Sequence, residues 1–293
     1  MWLILSVAMD SVMKRAMDGC YSDFMMKCVR LTSVMEWYAS GLILEKYCVM
    51  KQNQNIAIIF AGGSGRRMNA GAVPKQFLEL HGKPIIIYTL ELFERHPQID
   101  AIYVACISEW IDRLRVLLSH YGLHKVRAIV PGGDTGQDSI YQALLAAEND
   151  DITDENTLAL IHDGVRPLIL PETITDNIAA GRQHGSCITC IPASETLVVR
   201  QEEGGFKIPS RKDSLIARAP QTFFLKDILS AHRHAIHEGR HDFIDSLTLM
   251  THYGYSIHTM MGPIENIKIT TPMDYYLFKA LVDVRENTLI FGL

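Results

Sequence analysis

Between Ala61 and Lys75 the sequence AGGSGRRMNAGAVPK brings together two things that an anionic ligand needs. Glycines at Gly62, Gly63 and Gly65 allow positive φ and close approach, so that peptide N–H groups can turn onto a guest. Arg66, Arg67 and Lys75 bring positive charge to the same place. The chemistry that uses both is polyphosphate binding, in which Arg67 and Lys75 neutralise charge developing on a departing pyrophosphate. The stretch is not G-x-x-x-x-G-K-[ST], the phosphate loop of many nucleotide hydrolases, nor the G-x-G-x-x-G of a dinucleotide site. Two further polar motifs follow apolar runs, GGD at Gly132–Asp134 and HDGVRP at His162–Pro167.

These motifs need elements to place them. From Asn55 onward, the short runs NIAIIFA, AIYVACI, VRAIVP, TLALIHD and SCITCIPA alternate with amphipathic stretches near 85–96, 109–121, 138–148 and 171–184. The runs are continuously apolar rather than alternating, as strands covered on both faces require. The expectation is therefore a doubly wound α/β domain with a mostly parallel sheet. Ligands in such sheets bind beyond the carboxyl ends of the strands, where all three polar motifs fall. The segment ETLVVRQEEGGFKIPSRKDSLI interrupts the alternation, and its Glu203-Gly204-Gly205 turn signal predicts a β-arm at about 194–212. Helices are expected near 225–238 and 244–253, then a short strand YSIHTM, and a last helix from Pro272 to about Glu286.

Composition bounds the partners. A chain of 293 residues, 48% hydrophobic and 21% charged, buries a large core in one or two domains. A net charge of −5 disfavours a nucleic-acid or anionic-membrane surface, so the expected anion is small and locally bound. Residues 1–49 differ in character: all eleven prolines lie at Pro74 or beyond, while seven of thirteen methionines precede Met50. The opening MWLILSVAM is too short to span a bilayer and lacks the basic start of a signal peptide. We expect 1–49 to be an extension outside the fold, with Met50 a candidate translation start, and 50–293 to be a single domain. Cys187 and Cys190 are spaced C-x-x-C inside an apolar run and read as core residues, which suits the cytoplasm. His234, His237 and His241 read as one solvated helix face rather than a zinc site.

In order along the chain, FAGGSGRRM, PKQF, GGDTGQDSI, HDGVRP, APQTFF and ENIKITTPMD resemble the cytidylyltransferases that make CDP-polyols from methylerythritol phosphate or ribitol phosphate. The resemblance runs from Ile56 to about Val284. It implies a Rossmann-like nucleotidyltransferase domain, CTP as donor, a polyol phosphate as acceptor, Mg²⁺ as cofactor and a homodimer joined through the β-arm. By the same resemblance Arg67, Lys75 and Lys268 are catalytic, and Ala61, Gly62, Gly63, Gly65, Gly133, Asp134 and Ser139 hold the nucleotide. Asp163 lies beside the metal, Arg166 meets the acceptor phosphate, and Thr196 and Arg211 on the arm reach the neighbouring subunit's acceptor. Asp245 matches an aspartate of the family, and His162 is given no proton-transfer role.

Two positions depart from the pattern. Ala219 stands where the family commonly has threonine in T-P-Q, and Gly136 where it commonly has arginine after G-G-x-x. Either departure bears on the substrate, with Arg211 and Arg218 at hand to compensate. The A-G-G opening and the eight-residue step from Arg67 to Lys75 resemble the ribitol-phosphate branch of the family more than the methylerythritol-phosphate branch, which implies ribitol 5-phosphate as acceptor. Two other readings stay open: a sugar-1-phosphate nucleotidyltransferase using another nucleotide, separable by nucleotide competition, and a catalytically inactive nucleotide-binding regulator.

Overall fold

The structure, a computed structural model, describes residues 54–63, 73–202 and 204–291. The described fold opens with strand β1 (Asn55–Ala61). After the glycine-rich segment, a 3-10 turn (Lys75–Phe77) leads into β2 (Glu79–Leu80) and β3 (Lys83–Pro84). Their turn residues His81 and Gly82 have φ of 51° and 75°, the left-handed pair that a two-residue hairpin uses. Helix α1 (Ile85–Arg95), β4 (Ala101–Cys106), α2 (Ile111–Tyr121), β5 (Val126–Pro131) and α3 (Gly136–Glu148) follow. Next come β6 (Leu158–Asp163), α4 (Pro171–His184) and β7 (Ser186–Pro192). The arm holds β8 (Val199–Arg200) and β9 (Phe206–Lys207), and the chain returns through β10 (Leu215–Phe224). It finishes with α5 (Leu225–His237), α6 (Ser246–His252), β11 (Thr259–Met261) and α7 (Pro272–Phe291).

Seven strands form one sheet in the order β11-β7-β10-β6-β1-β4-β5. Its pairs are parallel except for the two made by β10. Each face of the sheet has its own core. Ile56 and Ile58 of β1 pack with Tyr103, Ile161 and Phe223 against α3, α5 and α6. Ala57 and Ile59, pointing the other way, pack with Val104 and Leu160 against α1, α2 and α4. Two covered faces explain why these strands read as unbroken apolar runs. The expected α/β class and mostly parallel sheet are thus what the chain forms, and α3 and α7 run longer than expected from sequence.

Three local details differ from expectation. The sequence pattern did not mark β10, although it lies between β6 and β7 in the sheet, because Arg218 and Pro220 interrupt its apolar run. The strand accommodates them with a register break between Ala217 and Gln221. His241 lies beyond the end of α5 at His237, so the three histidines do not share one helix face. Cys187 and Cys190, an odd number apart on β7, point to opposite faces of the sheet, and burial pushes the Cys187 thiol up to about 12. Among the described residues no helix is long and apolar enough to cross a membrane.

Candidate active site

Strand order changes direction at β1: the chain builds β4 and β5 on one side of it, then returns to place β6 on the other. Ligands bind beyond the carboxyl ends at such a switch point. There the register aligns Ala61 with Cys106, Cys106 with Pro131, and Phe60 with Asp163. The loops leaving these ends carry the three polar motifs.

The loops after β1 and β5 form a glycine cradle. A Cβ on Gly132 would lie 2.9 Å from the Gly62 Cα, and one on Gly62 would lie 2.5 Å from the Ser139 hydroxyl. Gly133 is equally confined, since a Cβ there would meet Asp138 Cβ at 2.3 Å. Only glycine lets the two backbones approach this closely. The cradle leads straight into α3, whose Thr135 and Asp138 form a reciprocal capping box: Asp138 N–H donates to Thr135 Oγ1, and Thr135 N–H to Asp138 Oδ2. Ser139 is buried, its hydroxyl accepting from Gly133 N–H at 3.1 Å and donating to the Thr135 carbonyl at 2.9 Å. In this structure Ser139 therefore shapes the cradle from below, while Asp134 is exposed at its rim.

Gln76 has a role that the sequence did not disclose. Its buried side chain donates from Nε2 to the Ala61 carbonyl at 2.6 Å and to the Gly63 carbonyl at 3.3 Å. It thus clips the first turn of the glycine loop from the far side of that loop. Lys75, half-buried at the start of the same 3-10 turn, is carried in beside it. Gly65 and Arg67 lie outside the described residues.

An ion cluster sits next to the cradle. Asp163 is 4% exposed and receives Arg166 Nε on Oδ2 at 2.7 Å. Its Oδ1, which no N–H meets in hydrogen-bond geometry, faces Lys268 Nζ at 2.5 Å in an ion pair. Burial alone would raise this carboxyl, but Arg166 and Lys268 overturn that and hold it well below the usual carboxylate range. Lys268 stays partly exposed and lies 5.5 Å from the centre of the Phe60 ring. The next residue anchors it: Ile269 N–H donates to the Val165 carbonyl at 2.9 Å, and the Ile269 side chain is buried with Leu168 and Phe278 of α7. The motif TTPMD starts that helix, with Asp274 Oδ2 accepting from the N–H groups of Thr270 and Thr271 at 2.9 and 2.7 Å.

His162 is fully buried, and its Nε2 lies 3.2 Å from the Arg166 carbonyl. A carbonyl only accepts, so Nε2 carries the proton. Burial lowers the ring to about 4, leaving it neutral near pH 7, a structural rather than proton-carrying group. Gln221 of the APQ motif donates to Asp245 Oδ2 at 3.1 Å and accepts from Leu247 N–H at 2.9 Å, tying β10 to the start of α6. Thr196 and Arg211 are exposed on the arm and make no hydrogen bond or ion pair to this cluster within the protomer.

The donor set bears on a metal. Asp163 is a hard oxygen ligand of the kind Mg²⁺ accepts, and Mg²⁺ often takes one carboxylate and fills its other positions with water and phosphate. Of its two oxygens, Oδ1 is held only by a flexible ammonium. The residues therefore fit a cation that arrives with a polyphosphate, once phosphate draws Lys268 away.

Comparison with known proteins agrees with this architecture. Residues 55–284 match the family described as IspD: 2-C-methyl-D-erythritol 4-phosphate cytidylyltransferase. The chain is 50% identical over 239 residues to a ribitol-5-phosphate cytidylyltransferase of Vibrio parahaemolyticus serotype O3:K6, covering 81% of this chain and 100% of that protein. It is 34% identical over 232 residues to a 2-C-methyl-D-erythritol 4-phosphate cytidylyltransferase of Clostridium botulinum, covering 79% of this chain and 98% of that protein. Among solved structures, the 4-diphosphocytidyl-2C-methyl-D-erythritol synthase of Anaerococcus prevotii superimposes with a TM-score of 0.68 at 25% identity, over 81% of this chain and 99% of that one. A switch-point cradle, an Asp163–Arg166–Lys268 cluster and sequence similarity spanning nearly the whole of each relative lead to one conclusion: the chain belongs to the IspD family of cytidylyltransferases.

Proposed function

We propose that the chain transfers a cytidylyl group from CTP to ribitol 5-phosphate, giving CDP-ribitol and pyrophosphate. The observation that carries the acceptor is that the relatives at 50% identity are ribitol-5-phosphate cytidylyltransferases, whereas at 34% stand both a ribitol-5-phosphate and a methylerythritol-phosphate enzyme. Methylerythritol 4-phosphate is the second reading, supported by the family description itself. A ribitol product would feed a wall or capsule polymer; a methylerythritol product would feed isoprenoid synthesis.

The chemistry follows from the groups present. An oxygen of the acceptor phosphate attacks the α-phosphorus of CTP, forming one P–O bond, while the bond to the β-phosphate bridging oxygen breaks and its electron pair leaves with pyrophosphate. The acceptor phosphate, with a second pKa near ~6, is already largely ionised at neutral pH, so no general base is needed. The cradle of Gly62, Gly63 and Gly133 would present backbone to the nucleotide, with Ala61 fixed beneath it. Lys268, together with Lys75 and Arg67, would offset the charge building on the phosphates. Asp163 keeps Arg166 and Lys268 oriented until the substrates take over as their counter-charge. Mg²⁺ bound with the triphosphate, with Asp163 as its protein ligand, would supply further charge neutralisation. We place the enzyme in the cytoplasm, where the free thiols Cys106, Cys187 and Cys190 suit a reducing compartment, and we infer a homodimer joined through the arm.

Pyrophosphate release tests the reading. Purified protein with Mg²⁺ and CTP should turn over ribitol 5-phosphate with the higher kcat/KM when methylerythritol 4-phosphate is offered in parallel. A preference for methylerythritol 4-phosphate would reassign the acceptor. Equal use of UTP or GTP would remove the cytidylyl assignment.

A further inference from the structure

Resting on the cytidylyl-transfer reading, we propose that Arg218 is an acceptor-binding residue, the second guanidinium of a subsite for the acceptor's phosphate monoester. Two arginines converge on one backbone oxygen here. Arg166 Nη1 donates to the Asn266 carbonyl at 2.8 Å, and Arg218 Nη1 donates to the same carbonyl at 2.7 Å. Asn266 is fully buried, and its Nδ2 donates to the Ala219 carbonyl at 2.7 Å. The residue after Arg218 is thereby tied to the loop that leads to Lys268.

The charges do not balance. Arg166, Arg218 and Lys268 bring three cations, and the carboxylate bound among them is that of Asp163. Asp163 spends its oxygens on Arg166 and Lys268, and among the described residues Arg218 has no carboxylate partner. Burial and the neighbouring Arg166 both lower its pKa, so the guanidinium sits where its charge is disfavoured. Nε and Nη2 of Arg218 and Nη2 of Arg166 have no hydrogen-bond partner among the described residues. Two half-used guanidinium forks beside each other match a tetrahedral dianion, which takes several N–H donors at once.

The backbone explains how Arg218 reaches this place. It sits in the register break of β10 between Ala217 and Gln221, where the strand departs from regular pairing with β7. A small Ala219 follows it, 5% exposed and packed, so the side chain that this turn offers toward the loop is the arginine. The phosphate-binding capacity is thus added on the β10 side, apart from the glycine cradle.

Full-length wild type, Arg218→Ala and Arg218→Lys should be compared at saturating CTP and then at saturating acceptor. We expect Arg218→Ala to raise KM for ribitol 5-phosphate by about 10- to 100-fold, the loss of charge-assisted bonds, with KM for CTP changed less than about 3-fold. Arg218→Lys should restore part of the loss, since it keeps the charge without the fork. Thermal melting with inorganic phosphate as probe reads the same subsite without turnover: phosphate should stabilise wild type more than Arg218→Ala. This arm holds even where ribitol 5-phosphate is not the acceptor, so failure of the acceptor assignment and failure of the subsite separate. An equal rise in both KM values, unchanged kinetics in a folded Arg218→Ala, or phosphate stabilisation identical in the two proteins overturns the proposal.

Discussion

Asp163 does two jobs that pull against each other. Burial disfavours its charge, and the adjacent cations stabilise it, so it remains ionised throughout the neutral range and keeps Arg166 and Lys268 in place. Lys268 is the member of this group free to move, being 39% exposed and held to the carboxylate by a single ammonium contact. Lys268→Ala should therefore lower kcat by more than about 10²-fold, the scale of a lost transition-state contact, and should also lower the melting temperature, because Asp163 then keeps only Arg166 as counter-charge. Near-normal kcat in that variant would remove Lys268 from the catalytic group. Histidines make a separate prediction about acid stability. Burial lowers His162 and His232 to about 4 from an ordinary value of 6.5. Between those values the unfolded chain binds protons that the fold refuses, so stability is complete above about pH 6.5 and falls as pH drops toward 4. His232 stacks on Tyr141, so His232→Phe keeps a ring there and should flatten part of that fall. Urea midpoints at pH 7.5 and 5 check it, and an unchanged slope in the variant would mean that His232 does not drive the effect.

At the scale of elements, the cradle is a packing problem between two loops, and glycines in it are not equivalent. Gly132→Ala would drive a Cβ to 2.9 Å from Gly62 Cα, backbone against backbone, so the loops must part. Gly136, at the first turn of α3, is exposed, and its nearest neighbour, Phe60, lies 4.0 Å away. Titration with CTP should show binding weakened at least about 10-fold in Gly132→Ala and little changed in Gly136→Ala. Similar affinities in both would mean that the cradle does not hold the nucleotide. The open space at Gly136 also accounts for why the family's usual arginine there can be exchanged without disturbing the core. Much of this was legible in sequence. Strands β1, β4, β6 and β7 showed themselves because both faces are buried, the edge strand β5 showed itself by its apolar run although it is only partly covered, and α4 even kept its ends, with Pro171 at its start and Gly185 at its C-cap. What stayed hidden depends on segments far apart in the chain. Gln76 looks like a surface glutamine until β1 is placed beside it, and the tie between Arg218 and Asn266 spans two elements. β10 was concealed by Arg218 and Pro220, which interrupt its apolar run.

For the whole molecule, the arm is the part that the protomer's own packing does not explain. Val198, Phe206 and Ile208 are 58%, 65% and 66% exposed, clustered around the two-residue strands β8 and β9, which form a sheet of their own. Gly204 and Gly205, with φ of 90° and 86°, close that hairpin. Exposed apolar side chains on so short a ribbon are not stable as a free surface, and a second copy of the chain is the partner that the family resemblance implies. Thr196 and Arg211 lie on the same arm and do not engage their own Asp163 cluster, which is the arrangement expected if they complete the neighbour's acceptor site. The glycine cradle proposed to hold the nucleotide, in contrast, is built from residues of one chain. Breaking the proposed dimer should therefore separate the two substrates. The double variant Phe206→Glu and Ile208→Glu should shift the mass measured by light scattering from dimer to monomer. It should raise KM for the acceptor at least about 10-fold, as for lost charge-assisted contacts, and leave CTP binding close to wild type. A wild-type protein that is monomeric at assay concentration yet fully active would mean that each protomer completes its own acceptor site. A monomeric variant with unaltered acceptor KM would lead to the same conclusion, and Thr196 and Arg211 would then be surface residues of the arm.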